Sequence, residues 1–136
     1  MTSKTSGAVR LGYVIVYVPD VTRAVDFYER AFGLQRRFIH ESAQYAELET
    51  GATALGFADE RATTTCHSFL PNRAEQKAAG AEVAFVVDDV RAAFDKAVLN
   101  GATPVVEPVD KPWGQTISYV RDLNGFLVEF CTTVGD

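Results

Sequence analysis

Apolar and polar positions alternate with changing period along the first half of the chain. Residues 11–18 are β-branched and aromatic and end at Pro19, which predicts a buried strand. Asp20 is a suitable N-cap for a helix that Gly33 would end in a left-handed conformation. The apolar side chains of this helix recur at helical spacing, at Val21, Ala24, Val25, Tyr28 and Phe32. Their stripe predicts a helix that packs on a sheet.

Three further strands are predicted after the helix, over residues 35–41, 45–50 and 53–58. The first half therefore has the order β-α-β-β-β. Residues 59–80 have no clear hydrophobic period, and we expect them to form a linker with a short helix after Asn72.

The pattern then restarts in the second half. Residues 82–87 predict a strand, and Asp89 is the N-cap of a helix that ends before Gly101. Strands follow over 103–107, 116–120 and 126–131, and Asn124-Gly125 favours a two-residue hairpin turn with both residues at positive φ. Positions 69 residues apart correspond between the halves: Asp20 with Asp89, Val21 with Val90, Ala24 with Ala93, Val25 with Phe94, and Tyr28 with Ala97. The sequence thus indicates a duplicated module.

Composition narrows the class of protein. The 136 residues fit one domain, with modules at about 9–58 and 81–133 joined by the linker. No apolar run approaches the roughly 20 residues of a membrane span, and the polar start lacks a secretory signal, so we expect a cytoplasmic protein. The net charge of −5 argues against a nucleic-acid partner. The two cysteines, Cys66 and Cys131, have no paired spacing and are expected to be reduced.

Short motifs in both halves resemble those of the vicinal oxygen chelate superfamily, which includes glyoxalases, extradiol dioxygenases and bleomycin-resistance proteins. They lie at residues 18–21, 27–28, 32–34, 86–90, 100–102, 112–114 and 121–129. The resemblance implies an α+β fold in which two βαβββ modules form a U-shaped, partly open mixed sheet. It also implies a homodimer, commonly with modules paired across chains, and a small-molecule site in the groove of the sheet.

Superfamily members take two site residues from each module, on its first and last strands. The resemblance places these positions on Tyr13, Gly56, Glu82 and Glu129. In metal-dependent members they are histidine or glutamate, whereas glycine has no ligand and tyrosine has a pKa near 10. Only Glu82 and Glu129 remain as metal ligands. We therefore expect either no cofactor or one weakly bound divalent metal ion.

Glu82 and Glu129 are also the candidate catalytic residues. Each carboxylate could face water or pair with an arginine such as Arg10 or Arg121. Alternatively the two could approach each other, which would raise the pKa of one and create a general acid or base.

Aromatic side chains supply candidates for ligand binding. Trp113 lies in a Pro-Trp-Gly turn that resembles one near the pocket of bleomycin-resistance proteins. It could line an aromatic cavity, or it could cover the core as part of the turn. The other proposed members of that cavity are Tyr13, Tyr17, Phe38 and Tyr45. Cys66 with His67, the isolated His40, and Cys131 are weaker candidates, because none has an evident catalytic partner.

Two functions are compatible with these residues. The first is a small-molecule-binding protein without the usual metal centre, which holds an apolar or aromatic ligand in the groove. The second is a metal-dependent enzyme, such as a glyoxalase-like lyase, an isomerase or an extradiol-type dioxygenase, whose substrate has vicinal oxygens. Glu82 and Glu129 would be its metal ligands.

Overall fold

The computed structural model of the chain describes residues 7–62 and 67–134. Its first module contains β1 (Tyr13–Val18), α1 (Val21–Phe32), β2 (Arg36–Ile39), β3 (Tyr45–Leu48) and β4 (Ala54–Asp59). Its second module contains β5 (Glu82–Val86), α2 (Val90–Leu99), β6 (Thr103–Asp110), β7 (Thr116–Arg121) and β8 (Leu127–Cys131).

Each module forms one four-stranded mixed sheet, and the strand order is the same in both. The orders are β1-β4-β3-β2 and β5-β8-β7-β6. The first and last strands of each module pair in parallel, and the other neighbours are antiparallel. The predicted α+β class and the duplicated βαβββ order are therefore confirmed.

The helix ends form as their capping residues predict. The Asp20 carboxylate accepts a hydrogen bond from the Arg23 amide at 3.0 Å, and Asp89 accepts one from the Ala92 amide at the same distance. Gly33 ends α1 with a φ of 71°. These caps satisfy backbone groups that the first and last turns leave free.

The helices pack on one face of each sheet and join the modules. Buried side chains on that face include Val16, Val18, Phe57, Val128 and Phe130. Phe32 of α1 contacts Phe85 and Phe130 of the second module, with ring centroids 5.6 and 5.7 Å apart. Tyr28 Oη also donates a 2.7 Å hydrogen bond to Asp122 Oδ2. The core is thus continuous across the junction.

The predicted helix after Asn72 is wrong. The described part of the linker has a single turn there, closed by a hydrogen bond from the Gln76 amide to the Arg73 carbonyl. The guanidinium of Arg121 donates to the carbonyls of Arg73 and Gln76, at 3.3 and 2.6 Å. Because these carbonyls accept hydrogen bonds from the Arg121 side chain of β7, the chain after Asn72 does not continue as a helix.

The predicted two-residue turn at Asn124-Gly125 is also wrong. Of these two residues, Gly125 has positive φ, at 87°, and Asn124 does not. Residues 122–126 form a longer loop between β7 and β8. Asp122 Oδ1 accepts hydrogen bonds from the amides of Asn124 and Phe126, at 2.8 and 3.0 Å. The aspartate side chain therefore organises a turn that the Asn-Gly pair alone does not.

No helix in the described residues has both the length and the apolar character needed to cross a membrane.

Candidate functional site

The candidate site residues lie on the face of each sheet that is turned away from the helices, called here the helix-free face. On β1 this face carries Tyr13, Ile15 and Tyr17, because Val14, Val16 and Val18 pack toward the core. On β5 it carries Glu82 and Ala84 by the same alternation. Tyr13 and Ile15 are 59% and 47% exposed. The helix-free face is therefore open to a ligand or a partner.

Glu82 and Glu129 meet on the second sheet. Glu129 lies between Ala84 on β5 and Tyr119 on β7, and Glu82 lies two residues before Ala84. A hydrogen bond with the Glu129 side chain, helped by partial burial, raises the pKa of Glu82 from 4.5 to about 7. Glu82 is therefore the carboxyl of the pair that can hold a proton near neutral pH.

The neighbours of this acid pair respond to its charge. Burial, followed by the negative charge of Glu129, raises the pKa of Tyr119 to about 12. Burial likewise raises the pKa of the Cys131 thiol. Tyr119 is therefore a neutral hydroxyl beside the pair and can donate a hydrogen bond at neutral pH. Tyr119 was not predicted as a site residue, because the sequence indicates only that it lies on the strand before the last one.

Arg121 is not the partner of either glutamate. Its guanidinium donates to backbone carbonyls, including that of Gly125 at 2.7 Å. Arg10 lies beside Tyr13 at the start of β1. Among the residues that the structure describes, neither arginine makes an ion pair with Glu82 or Glu129. The alternative in which the two carboxyls approach each other agrees with the structure.

The first module holds its carboxylate on a different strand. Gly56 lies between Ile15 on β1 and Glu47 on β3, which places Glu47 where the second module has Tyr119. A side chain on Gly56 would begin only 2.9 Å from the hydroxyl oxygen of Tyr45. Tyr45 therefore occupies the space that a ligand on Gly56 would need.

Glu47 is buried and fully engaged. Tyr45 Oη donates to Glu47 Oε2 at 2.9 Å, and Arg37 Nη1 lies 3.2 Å from Glu47 Oε1. Burial, together with this hydrogen bond to Glu47, raises the pKa of Tyr45 to about 12. The sequence analysis missed Glu47, because identifying it requires the register between β3 and β4.

The predicted aromatic residues fall into separate groups. Phe38 and Tyr45 are in contact, with ring centroids 6.0 Å apart. Tyr17 instead packs against the linker: its ring lies 4.6 Å from that of Phe69, and its hydroxyl lies 2.9 Å from His67 Nε2. Trp113 is exposed on the loop between β6 and β7, where its indole donates to Gln115. Within one chain the structure does not bring Trp113 to the other rings.

The weaker candidates have ordinary surroundings. His40 lies in the turn before β3, where Nδ1 is 2.8 Å from Ser42 Oγ. Cys131 is a buried free thiol at the end of β8. Cys66 lies outside the described residues.

The sequence profile described as the Glyoxalase/Bleomycin resistance protein/Dioxygenase superfamily matches residues 10–130. The chain belongs to this superfamily. None of the curated proteins compared with the chain matches it. Solved structures from the superfamily are similar over nearly its whole length.

One similar structure is TioX from Micromonospora sp. ML1, which is 28% identical with a TM-score of 0.71. The match covers 91% of this chain and 98% of TioX. A glyoxalase-related enzyme from Fulvimarina pelagi is 16% identical, with a TM-score of 0.76 and coverages of 91% and 88%. A superfamily enzyme from Burkholderia phytofirmans PsJN is 21% identical, with a TM-score of 0.68 and coverages of 93% and 100%. The last two similarities support the fold alone.

Divalent metals are common in the glyoxalase superfamily, but the donor set of this chain does not fit one. Of the four positions only Glu82 and Glu129 carry carboxyls, because Gly56 has no side chain and Tyr13 is a phenol. Among the described residues, no three His, Cys, Asp or Glu side chains gather in a group that could hold a metal ion. Two carboxyls alone are few protein ligands for a tightly bound divalent cation.

Proposed function

We propose that the protein binds a small apolar or aromatic molecule on its helix-free face without the metal centre common in the superfamily. The observation that carries this proposal is the exposure of rings on that face, with Tyr13 at 59% and Phe38 at 40%. Large apolar side chains grouped on an open surface are typical of binding sites. Aromatic rings also offer flat surfaces on which a planar ligand can stack.

The proposed ligand contacts within one chain are Tyr13, Phe38 and Tyr45, because Tyr17 packs against the linker and Trp113 lies apart from the other rings. Phe38 and Tyr45 already touch each other, and the hydrogen bond to Glu47 fixes the orientation of Tyr45. A ring held in place loses little conformational freedom when a ligand stacks on it. Superfamily members bind small molecules, which agrees with this use of the face.

Glu82 and Glu129 are the proposed acid-base pair if the ligand is chemically changed. The hydrogen bond with Glu129 and partial burial raise the pKa of Glu82 to about 7. A group that titrates near pH 7 can both give and take a proton at that pH, which is the requirement for general acid-base catalysis. Tyr119 would stabilise the ionised partner by donating a hydrogen bond.

The ligand test uses 2-naphthamide, a neutral planar aromatic probe, in an NMR titration of the amide signals. We expect shifts at β1, β2 and β3 on the helix-free face. Replacing Tyr13 with alanine should weaken binding about fivefold, since one aromatic contact contributes roughly 1 kcal/mol. The control Leu99→Ala removes an exposed side chain on α2 and should leave the affinity unchanged. Equal affinities for all three proteins would contradict the proposal.

Metal analysis separates this proposal from the alternative, a metal-dependent lyase, isomerase or dioxygenase. That alternative rests on the contact between Glu82 and Glu129. After dialysis against a divalent salt, the protein is expected to retain less than stoichiometric metal. One metal ion per chain that is lost in Glu129→Ala, but kept in the exposed control Glu107→Ala, would overturn the metal-free proposal.

We also propose that the protein is a homodimer in which modules of different chains face each other. The two sheets share no strand pairing within the described chain, and β1 and β5 are edge strands. The exposed Leu11 and Ile15 near the β1 edge would be covered by a partner.

Sedimentation velocity should therefore give twice the chain mass of 14.8 kDa. Ile15→Glu would place a charge in the proposed interface and should shift the population toward single chains. The matched control Leu99→Glu, at an exposed position on α2, should leave this population unchanged. A single-chain mass at every concentration would contradict the homodimer.

A further inference from the structure

We propose that a cavity between the two modules, beside the edge strand β5, binds an organic anion with an apolar body. Its volume is about 490 Å³, within the range of small-molecule sites. This junction cavity lies between α1, α2 and the edge strand β5. Its lining comprises Ala31, Phe32, Leu34, Thr50, Ala84, Phe85, Val86, Val87, Ala93, Lys96 and Phe130.

Apolar side chains form most of the wall of the junction cavity. Phe32, Phe85 and Phe130 form its aromatic part, and their rings already contact one another through Phe32. Alanines at 31 and 93 leave space where larger side chains would fill it. An apolar space of this size at a junction is therefore suited to a molecule with rings or a short hydrocarbon chain.

Lys96 is the one charged side chain among the described residues that line the cavity. Its Nζ lies 3.3 Å from the point where a side chain on Gly33 would begin, which places the ammonium at the end of α1. Within the described residues Lys96 makes no ion pair. Its hydrogen-bond donors therefore remain available to a ligand.

The charge decides the class of ligand. An apolar cavity with one free ammonium favours a carboxylate or sulfonate attached to an apolar group, and disfavours a cation. One positive charge matches one negative charge. Because the whole protein carries −5, the attraction must come from Lys96 locally. This occupant also differs from the ligand proposed for the helix-free face, which needs no negative charge.

The experiment compares 2-naphthoate with 2-naphthamide, which have nearly the same shape and differ in charge. In NMR titrations we expect naphthoate to shift the amides of residues 84–87, Ala93 and Lys96, with an affinity about tenfold higher than that of naphthamide at these residues. Lys96→Gln should remove this preference. Lys77→Gln, a change at an exposed lysine of the linker, should retain it.

A second variant tests the cavity itself. Ala93→Leu adds apolar volume to the lining and should weaken binding of both probes at these residues, while binding on the helix-free face continues. Equal affinities of the two probes at residues 84–87 would overturn the proposal. Shifts confined to β1, β2 and β3 on the helix-free face would also overturn the proposal.

Discussion

Replacing Glu129 with glutamine is expected to lower the pKa of Glu82 from about 7 toward its ordinary value of 4.5. The hydrogen bond between the two side chains is the largest cause of the shift, and partial burial is the second. Glutamine removes the negative charge and the charge-assisted hydrogen bond. The carboxyl carbon signal of Glu82, followed by NMR through an acid to weakly basic titration, measures the change directly.

The pair of Glu82 and Glu129 also makes the free energy of unfolding fall as the pH rises. The pKa of Glu82 is higher in the folded than in the unfolded protein, so the folded protein holds an extra proton between pH 4.5 and about 7. The resulting stabilisation is complete below the ordinary pKa and is lost as the pH rises toward 7. The urea midpoint of the wild type should therefore fall more over this range than that of Glu129→Gln.

The exposed Glu107 provides a control for both measurements. Its side chain is 74% exposed, and Glu107→Gln should change neither the titration of Glu82 nor the pH dependence that comes from it. If the midpoint of Glu82 stays near 7 in Glu129→Gln, burial alone is the cause. The acid-base role proposed for the pair would then lose its basis.

Replacing Asp122 with alanine should lower the free energy of unfolding by about 3–5 kcal/mol, because buried donors lose their partner. Asp122 is 2% exposed and accepts hydrogen bonds from the Tyr28 hydroxyl and from the amides of Asn124 and Phe126. Burial raises the pKa of this carboxyl, and the hydrogen bonds oppose that rise. Urea unfolding at neutral pH measures the loss.

Tyr28→Phe is the matched variant for Asp122→Ala. It removes one donor and leaves the loop amides bonded to Asp122, so the expected cost is only about 1 kcal/mol. Similar losses in the two variants would show that the loop hydrogen bonds contribute little. A loss below 1 kcal/mol in Asp122→Ala would contradict the importance of this junction.

Much of the fold could be predicted because it depends on local pattern. The helical stripe from Val21 to Phe32 and the caps at Asp20 and Asp89 appear as expected, and so does the repeat between the modules. The linker turn and the loop at residues 122–126 could not be predicted. Both depend on a side chain, Arg121 or Asp122, that bonds to backbone selected by the tertiary fold.

The candidate site could be predicted only in part. The closeness of Glu82 and Glu129 follows from strand positions that the family resemblance supplies. In the first module the carboxylate is that of Glu47 on β3, and the last strand has Gly56 instead. This arrangement depends on the register of β3 against β4, and on the space that Tyr45 fills. The sequence contains no local sign of either.

The two modules repeat their backbone but not their charge. In the first, Glu47 is locked between Arg37 and Tyr45, so its charge is compensated and fixed in place. In the second, Glu82 beside Glu129 gains or loses a proton near neutral pH. An asymmetric molecule placed across both would meet a rigid polar end and a titrating one. The duplication therefore gives the proposed site a direction, and this direction would determine which way round a ligand binds.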